Sequence, residues 1–209
     1  MMRFARRVLQ LYAGLICYGV SMDLMVRARL GLDGWDVLHQ GLAKVTGYSM
    51  GAVTIAVGAV VLLGWIPLRQ RPGFGTVSNV VVVGVAFDAV LPEIAVPHAM
   101  VWRIVCLAGG IALCGLATGL YISVGWGAGP RDGLMTGLAH RTGWSLRLTR
   151  TGLELIVLSV GWLLGGTVGF GTIAFALGIG PLSQLFLGLL RERSATATVP
   201  AQSAVTASA

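Results

Sequence analysis

The sequence predicts an all-α membrane protein in which six transmembrane helices form two inverted repeats of three helices each. Three observations support this class. Of the 209 residues, 56% are hydrophobic and 11% are charged, which is too little charge to cover the surface of a water-soluble domain. Apolar runs of spanning length recur along the chain. The first half of the sequence also returns in the second half.

Six apolar runs approach the ~20 residues that a helix needs to cross the hydrocarbon core of a bilayer. They occupy about 8–27, 50–68, 76–95, 101–123, 148–166 and 171–190. The mean hydropathy of +0.82 agrees with a chain whose solvent is lipid. We therefore expect the lipid bilayer to be its main partner.

The duplication sets the domain organisation. Residues 7–91 align without a gap on residues 103–187, at a constant shift of 96 positions. About a quarter of the aligned pairs are identical, more than chance gives in this composition. The sequence predicts membrane repeats at 1–95 and 96–193, followed by a disordered Ser/Thr/Ala tail at 194–209. The register is clearest where Gly31-Leu32-Asp33-Gly34-Trp35-Asp36 lies over Gly127-Ala128-Gly129-Pro130-Arg131-Asp132, and Gly73-Phe74-Gly75-Thr76 over Gly169-Phe170-Gly171-Thr172.

Basic residues indicate the orientation of each repeat. With a cytoplasmic N-terminus, eleven arginines fall on the cytoplasmic side and four basic residues on the outer side. This bias predicts that both termini are cytoplasmic. Three spans per repeat, an odd number, then invert the second copy relative to the first. The same bias accounts for the net charge of +7 without a nucleic-acid partner. The four basic residues predicted on the outer side of the membrane are Arg27, Arg29, Lys44 and Arg103.

Two segments between the spans, 35–46 and 131–142, have helical spacing but are too short and too polar to cross a bilayer. We expect half-helices here, either re-entrant or interfacial, because each follows glycine-rich chain and carries an early acidic residue. Asp36 and Asp132 are those acidic residues. They either cap the helix N-terminus, which the preference for Asp at caps favours, or face a cavity and bind a proton, cation or basic group. The neighbouring Trp35 is predicted to anchor at the membrane interface.

Other polar residues fall in or near the predicted spans, where ionisable groups are costly. Asp23 with Arg27, and Arg150 with Glu154, have the i,i+4 spacing of helical ion pairs. Asp88 and Gln184 are repeat mates, consistent with a central polar site or with an interhelical hydrogen bond, the latter slightly favoured. The complete set of candidate substrate-binding residues is Asp36, His39, Gln40, Asp88, Arg131, Asp132 and Gln184.

No motif indicates catalysis, so we expect neither enzymatic activity nor a bound metal or cofactor. Three cysteines fall inside spans, and two histidines lie at non-equivalent positions of the repeats, without zinc-site spacing. A phosphate loop and a nucleophile elbow are also absent from the sequence. The three cysteines are Cys17, Cys106 and Cys114, and the two histidines are His39 and His140.

Glycine and proline predict where the helices begin and bend. The Gly-Phe-Gly-Thr segments at 73–76 and 169–172 are expected to break the chain before the third and sixth spans. Gly178, Gly180 and Pro181 are expected to bend or unwind the last span. Small residues spaced by four, Gly110 with Cys114 and Gly115 with Gly119, permit close packing within one chain or in a homo-oligomer.

The chain resembles the YitT/YczE family of bacterial integral membrane proteins, and its YczE-type branch in particular. The resemblance covers nearly everything before the tail and implies a multi-pass protein of the bacterial cell membrane, without implying a biochemical activity. Longer YitT-type members carry an additional soluble C-terminal domain, whose role is not transferred to this sequence. The resemblance is carried by 31–42, by Trp65-Ile66-Pro67-Leu68 with Pro72-Gly73-Phe74-Gly75-Thr76, by 127–135 and by Gly178-Ile179-Gly180-Pro181.

The leading functional hypothesis is a small permease-like transporter with a polar site between inverted repeats. Helix N-termini favour a small polar or anionic solute, with Arg131 as its partner. The alternative is a non-transporting accessory or regulatory protein that binds another membrane component, since fold alone does not establish activity.

Overall fold

The computed structural model describes residues 2–196, and the side chains of residues 4–190. Within that range the chain forms eight α-helices, one 3₁₀ turn (Leu91–Glu93) and no strand, which confirms the all-helical prediction. The helices are α1 (Met2–Ala28), α2 (Gly34–Thr46), α3 (Met50–Trp65), α4 (Phe74–Val90), α5 (Met100–Ser123), α6 (Pro130–Thr142), α7 (Leu146–Leu163) and α8 (Phe170–Thr196).

Four stretches of helix in the described part of the chain are long and apolar enough to cross a membrane: Phe4–Ala28, Phe74–Glu93, Met100–Ser123 and Phe170–Leu190. A fifth arises if α2 and α3, which meet at 114°, form one broken span. Length and charge explain the difference from six, because α3 has 16 residues and α7 carries Arg147, Arg150 and Glu154. Six spans therefore stay a prediction.

The two short helices lie where the sequence predicts them. Each ends at a glycine in the left-handed conformation, Gly47 at φ 77° and Gly143 at φ 74°, a backbone shape that glycine adopts without steric cost. α4 and α8 begin at Phe74 and Phe170, which confirms the predicted breaks. Of the two alternatives for α8, unwinding is wrong, since its helix continues through Pro181, and bending stays a prediction. α8 also includes the first three residues of the predicted tail, and 197–209 lie outside the described residues.

The duplication extends to the backbone geometry. Every described residue in the left-handed region has its repeat mate in the same region. The repeats also exchange equivalent hydrogen bonds: the Gly75 N–H donates to the Trp126 carbonyl at 2.8 Å, and the Gly171 N–H to the Leu30 carbonyl at 2.7 Å. Reciprocal contacts of this kind are produced by a two-fold relation between two copies. The left-handed pairs are Arg29 with Gly125, Gly31 with Gly127, Gly47 with Gly143, and Arg69 with Gly165.

The helices pack in the same reciprocal way. α1 and α5 form the centre, with α4 against α1 and α8 against α5. Each short helix packs against the opposite repeat, α2 on α7 and α6 on α3. Gly110 and Gly115 allow α5 to approach α1 and α8 closely, because a Cβ atom would lie 2.8 Å from Met25 and 2.9 Å from Leu182. These small residues therefore serve packing within the chain.

Apolar side chains cover the outside of the bundle. Leu163 and Leu177 are 81% and 74% exposed, and further large apolar residues line the outer faces of α4, α5, α7 and α8. A water-soluble monomer does not leave so much contiguous apolar surface uncovered, whereas a helix that faces lipid does. The core is buried between the helices and includes Leu11, Leu15, Met22, Met25, Phe87 and Ile111.

The two repeats differ where the second and third long helices of each copy meet. α3 packs on α4 so closely that a Cβ on Gly51 would lie 2.2 Å from the Gly84 carbonyl oxygen. The repeat mate of Gly51 is Arg147, and the mate of Gly84 is Gly180, which has nothing within 4 Å of its would-be Cβ. α7 accordingly makes no comparable contact with α8. The helices of the second repeat thus lie apart where the position of Gly51 carries a large charged residue.

Candidate functional site

The N-terminal ends of α2 and α6 bring a group of charged residues together at the interface between the repeats. The Arg131 guanidinium, on α6, lies 3.6 Å from Asp33 Oδ2 and 3.3 Å from Asp36 Oδ1. Asp36 is fully buried and Asp33 nearly so. The two carboxylates give up their hydration, whereas the Arg131 side chain stays 23% exposed, so this ion pair is buried on its acidic side.

Asp33, which sequence reasoning missed, is the N-cap of α2. Its carboxylate accepts the Asp36 N–H at 2.7 Å, so the interpretation of Asp36 as the capping residue is wrong. The Asp-x-x-Asp spacing before an apolar helical pattern could have identified this cap. With the helix end already satisfied, the Asp36 side chain is free to turn toward Arg131 and His39. α6 has Gly129 at its N-cap, which has no side chain to offer.

His39 and Thr54 extend the cluster. His39 Nδ1 lies 3.3 Å from both Asp36 Oδ1 and Thr54 Oγ1. The Thr54 hydroxyl donates its only proton to the Met50 carbonyl at 2.8 Å, so it can only accept from the histidine. This network assigns a proton of the His39 ring to Nδ1, where both the Asp36 carboxylate and the Thr54 hydroxyl can accept it.

Trp35 lies inside the cluster rather than at a membrane interface. Its side chain is 6% exposed and its ring centroid lies 5.2 Å from Arg131 Cζ, a cation–π contact. The prediction that Trp35 is an interfacial anchor is therefore wrong. By contrast, Tyr48 and its repeat mate Trp144 are 72% and 58% exposed.

A small cavity lies against this cluster. Its volume is about 80 Å³, room for a few water molecules or one small ion, since a single water needs roughly 10–15 Å³ by this measure. Asp132 belongs to the wall and accepts a hydrogen bond from the Tyr121 hydroxyl at 3.2 Å. One oxygen of the adjacent Asp36, Oδ2, is buried without a hydrogen-bond partner in the described structure. Polar wall residues are Tyr18, His39, Thr54, Asn79, Tyr121, Arg131 and Asp132.

Carboxylates outnumber the guanidinium at this site by three to one, counting Asp33, Asp36, Asp132 and Arg131. The Asp132 side chain reaches the surface, but the protein atoms packed around its carboxyl raise the pKa of that group, opposed by the Tyr121 hydroxyl and by Arg131. Burial also raises the pKa of Asp33, to which repulsion from Asp36 adds. Burial lowers the pKa of Arg131, but the carboxylates of Asp33 and Asp36 outweigh it and the net direction is upward. The arginine stays charged, and the acids around it favour taking up a proton.

Three predicted site residues lie away from the cavity. Asp88 accepts from the Ser49 hydroxyl at 2.5 Å and from the Gly51 N–H at 2.9 Å, an interhelical link between α4 and α3 as predicted. Gln40 accepts the Thr167 N–H at 2.7 Å, which ties α2 to the segment between α7 and α8. Gln184 is exposed on α8. The structure thus brings Asp36, His39, Arg131 and Asp132 together and separates the other three.

The two predicted helical ion pairs have different outcomes. Arg150 Nε lies 2.9 Å from Glu154 Oε1, so that pair is confirmed. Arg27 donates instead to the Leu91 carbonyl. Both carboxylate oxygens of Asp23 are buried without a hydrogen-bond partner in the described structure, so the Asp23–Arg27 pair is wrong. Among the described residues, no three His, Cys, Asp or Glu side chains are arranged to hold a metal ion.

Long apolar helices, an apolar exterior and a charged interior define an integral membrane protein of the all-α class. A family model described as "Family of unknown function (DUF6198)" matches residues 5–188. The chain therefore belongs to this family and is a YczE-type membrane protein, which confirms the resemblance seen in the sequence.

Two relatives illustrate the extent of the match. An "Uncharacterized membrane protein YczE" of Bacillus subtilis (strain 168) is 37% identical over 173 residues, which cover 79% of this chain and 78% of that protein. An "Uncharacterized protein" of Haemophilus influenzae (strain ATCC 51907 / DSM 11121 / KW20 / Rd) is 39% identical over 172 residues, or 82% and 79%. No solved structure matches the chain.

Proposed function

We propose that this protein is a small secondary transporter that moves a proton or a small monovalent cation by alternating access. The observation that carries the proposal is a cluster of four charged residues beside a cavity at the interface of two repeats: Asp33 and Asp36 are buried, Arg131 is partly buried, and Asp132 reaches the surface. Ionisable groups inside a membrane protein are costly and mark ion or proton pathways by default.

The charge balance favours a cation over the anion that helix N-termini attract. Arg131 already contacts two carboxylates and stacks on Trp35, which leaves it little capacity for an anionic solute. Asp132 and the unpartnered oxygen of Asp36 supply negative charge that no basic side chain neutralises fully. A cavity of about 80 Å³ also suits a proton carried by water or a small ion better than a metabolite.

The difference between the repeats supports two alternating conformations. α3 and α4 are held together at Gly51, Gly84 and Asp88, while α7 and α8 lie apart. Under the orientation predicted from the basic residues, the closed pair lies on the outer side and the open pair on the cytoplasmic side. The arrangement then corresponds to an inward-open state. Exchange of the two packings would produce the outward-open state.

The inverted orientation makes a direct prediction for chemical labelling. Val45 and Arg141 are repeat mates near the ends of α2 and α6, and both are exposed. A single cysteine at Val45 should react with a membrane-impermeant maleimide added to intact cells, and one at Arg141 only after the membrane is opened. The three native cysteines are first replaced by alanine. Labelling of both positions from the same side would contradict inversion.

Transport itself is tested in proteoliposomes loaded with a pH-sensitive dye. Gradients of Na⁺, K⁺ or methylammonium should drive a pH change with the wild-type protein, through exchange of the cation for protons. Asp36→Asn should reduce the rate at least about tenfold, because it removes a proton-binding carboxylate while Asp33 still pairs with Arg131.

Glu154→Gln is the matched control for this experiment. Glu154 is also a carboxylate with an arginine partner, but it is exposed on α7 and does not line the cavity. Its substitution should leave the rate unchanged. The transporter proposal fails if the wild-type protein shows no proton movement with any of the three cations and with a proton gradient alone.

A further inference from the structure

A second, larger cavity lies between the end of α1, α2 and the segment that precedes α8. Its volume is about 390 Å³, and it shares no lining residue with the central cavity. Three of its lining side chains are basic and none is acidic. The residues that matter here are Arg27, Arg29, Gln40, Lys44 and Thr167. Concentrated positive charge in a concave site selects an anion.

The basic groups retain hydrogen-bonding capacity. The Arg29 guanidinium has no hydrogen-bond or ion-pair partner in the described part of the chain, although its carbonyl accepts from Arg103. Arg27 uses one terminal nitrogen on the Leu91 carbonyl, while its Nε is buried and unpartnered. Lys44 Nζ donates to the Gly165 carbonyl at 2.6 Å, which occupies one of its three N–H groups. Donors therefore remain for a bound anion.

The repeat shows that the fold does not need these charges. Arg27, Arg29 and Lys44 have Ser123, Gly125 and His140 as their mates, 96 positions later. Arg29 also has a left-handed backbone at φ 53°, where Gly125 in the other copy has φ 75°. An arginine at this position costs about 1 kcal/mol of backbone strain that a glycine avoids. The positive charge is therefore present in the first repeat and not at the equivalent positions of the second, and at Arg29 it carries a cost in backbone strain.

We propose that this cavity is a binding site for a phosphate group, presented either by a soluble phosphate or by the headgroup of an anionic phospholipid. Two guanidinium groups and an ammonium match the several oxygens of a phosphate better than the two of a carboxylate. The site lies at the ends of spanning helices, within reach of both bulk solution and lipid headgroups. It does not depend on the transport mechanism.

The test is thermal unfolding of the purified full-length chain in a neutral detergent, followed by tryptophan fluorescence. The added probes are inorganic phosphate at constant ionic strength, soluble short-chain phosphatidylglycerol, and soluble short-chain phosphatidylcholine as the zwitterionic comparison. Phosphate, phosphatidylglycerol or both should raise the unfolding midpoint. Arg29→Gln should weaken the apparent affinity about tenfold, and adding Lys44→Gln should abolish the effect.

Arg69→Gln is the matched control. Arg69 is also an exposed arginine with a left-handed backbone (φ 54°), but it does not line the cavity. The Arg69→Gln variant should bind the probes with the affinity of the wild type. Stabilisation by phosphate alone identifies a soluble ligand, and stabilisation by phosphatidylglycerol alone identifies a lipid. The proposal is overturned if neither probe stabilises the wild type, if phosphatidylcholine acts equally well, or if Arg69→Gln and Arg29→Gln behave alike.

Discussion

Replacing Arg131 with leucine is expected to destabilise the folded protein by about 3–5 kcal/mol, because it leaves two buried carboxylates without their counter-charge. Asp36 is fully buried and its Oδ2 atom already lacks a partner, so the loss of the guanidinium leaves both carboxylates poorly compensated. The measurement is the free energy of unfolding in mixed detergent–denaturant solution. Adding Asp36→Asn to Arg131→Leu should recover part of the loss, since it removes one of the stranded charges.

Arg150→Leu provides the comparison for this effect. Arg150 pairs with Glu154 at 2.9 Å, closer than Arg131 approaches either of its partners, but both side chains are largely exposed. Solvent screening limits such a surface pair to under about 1 kcal/mol. If Arg131→Leu costs no more than Arg150→Leu, the cluster is solvated in the folded protein and its assignment as a buried charged site is wrong.

Cross-linking is expected to distinguish the two repeats. Cysteines in place of Ser49 and Asp88 should be joined by a short bifunctional thiol reagent at least about tenfold faster than cysteines at their mates, Ser145 and Gln184, because proximity sets the effective concentration of the second thiol. The Ser49 and Asp88 side chains are 2.5 Å apart, whereas Ser145 and Gln184 are both exposed and α7 makes no comparable contact with α8.

Each cysteine pair is the control for the other, because the two pairs occupy equivalent positions in the two repeats. The contact between Gly51 and Gly84 should still hold α3 against α4 after Asp88 is replaced. Cross-linked Ser49→Cys/Asp88→Cys protein should also lose proton movement in proteoliposomes, since it cannot adopt the outward-open packing. Equal cross-linking rates for the two pairs would mean that α3–α4 and α7–α8 are equally close, and would remove the basis for an inward-open state.

Local and repetitive features of the fold could be predicted from the amino-acid order. Apolar run length sets which segments suit a bilayer, and the constant shift of 96 positions places the starts of α2, α3 and α4 on the starts of α6, α7 and α8. The short helices at Gly34–Thr46 and Pro130–Thr142 follow from glycine-rich starts and left-handed glycine ends. These signals act over a few neighbouring residues, so a single sequence contains them.

The composition of the charged cluster depends on contacts that no sequence spacing encodes. Arg131 is about 100 positions from Asp33 and Asp36, and they meet because the two short helices bring their N-terminal ends together at the interface of the repeats. Trp35 and Asp23 were misassigned for the same reason: their surroundings are built by helices distant in the chain. The unequal packing of α3–α4 and α7–α8 is likewise a property of the assembled helices: Gly51 lies against Gly84, and α7 makes no comparable contact with α8. The packing of helices that are distant in the sequence determines which buried charged side chains form ion pairs.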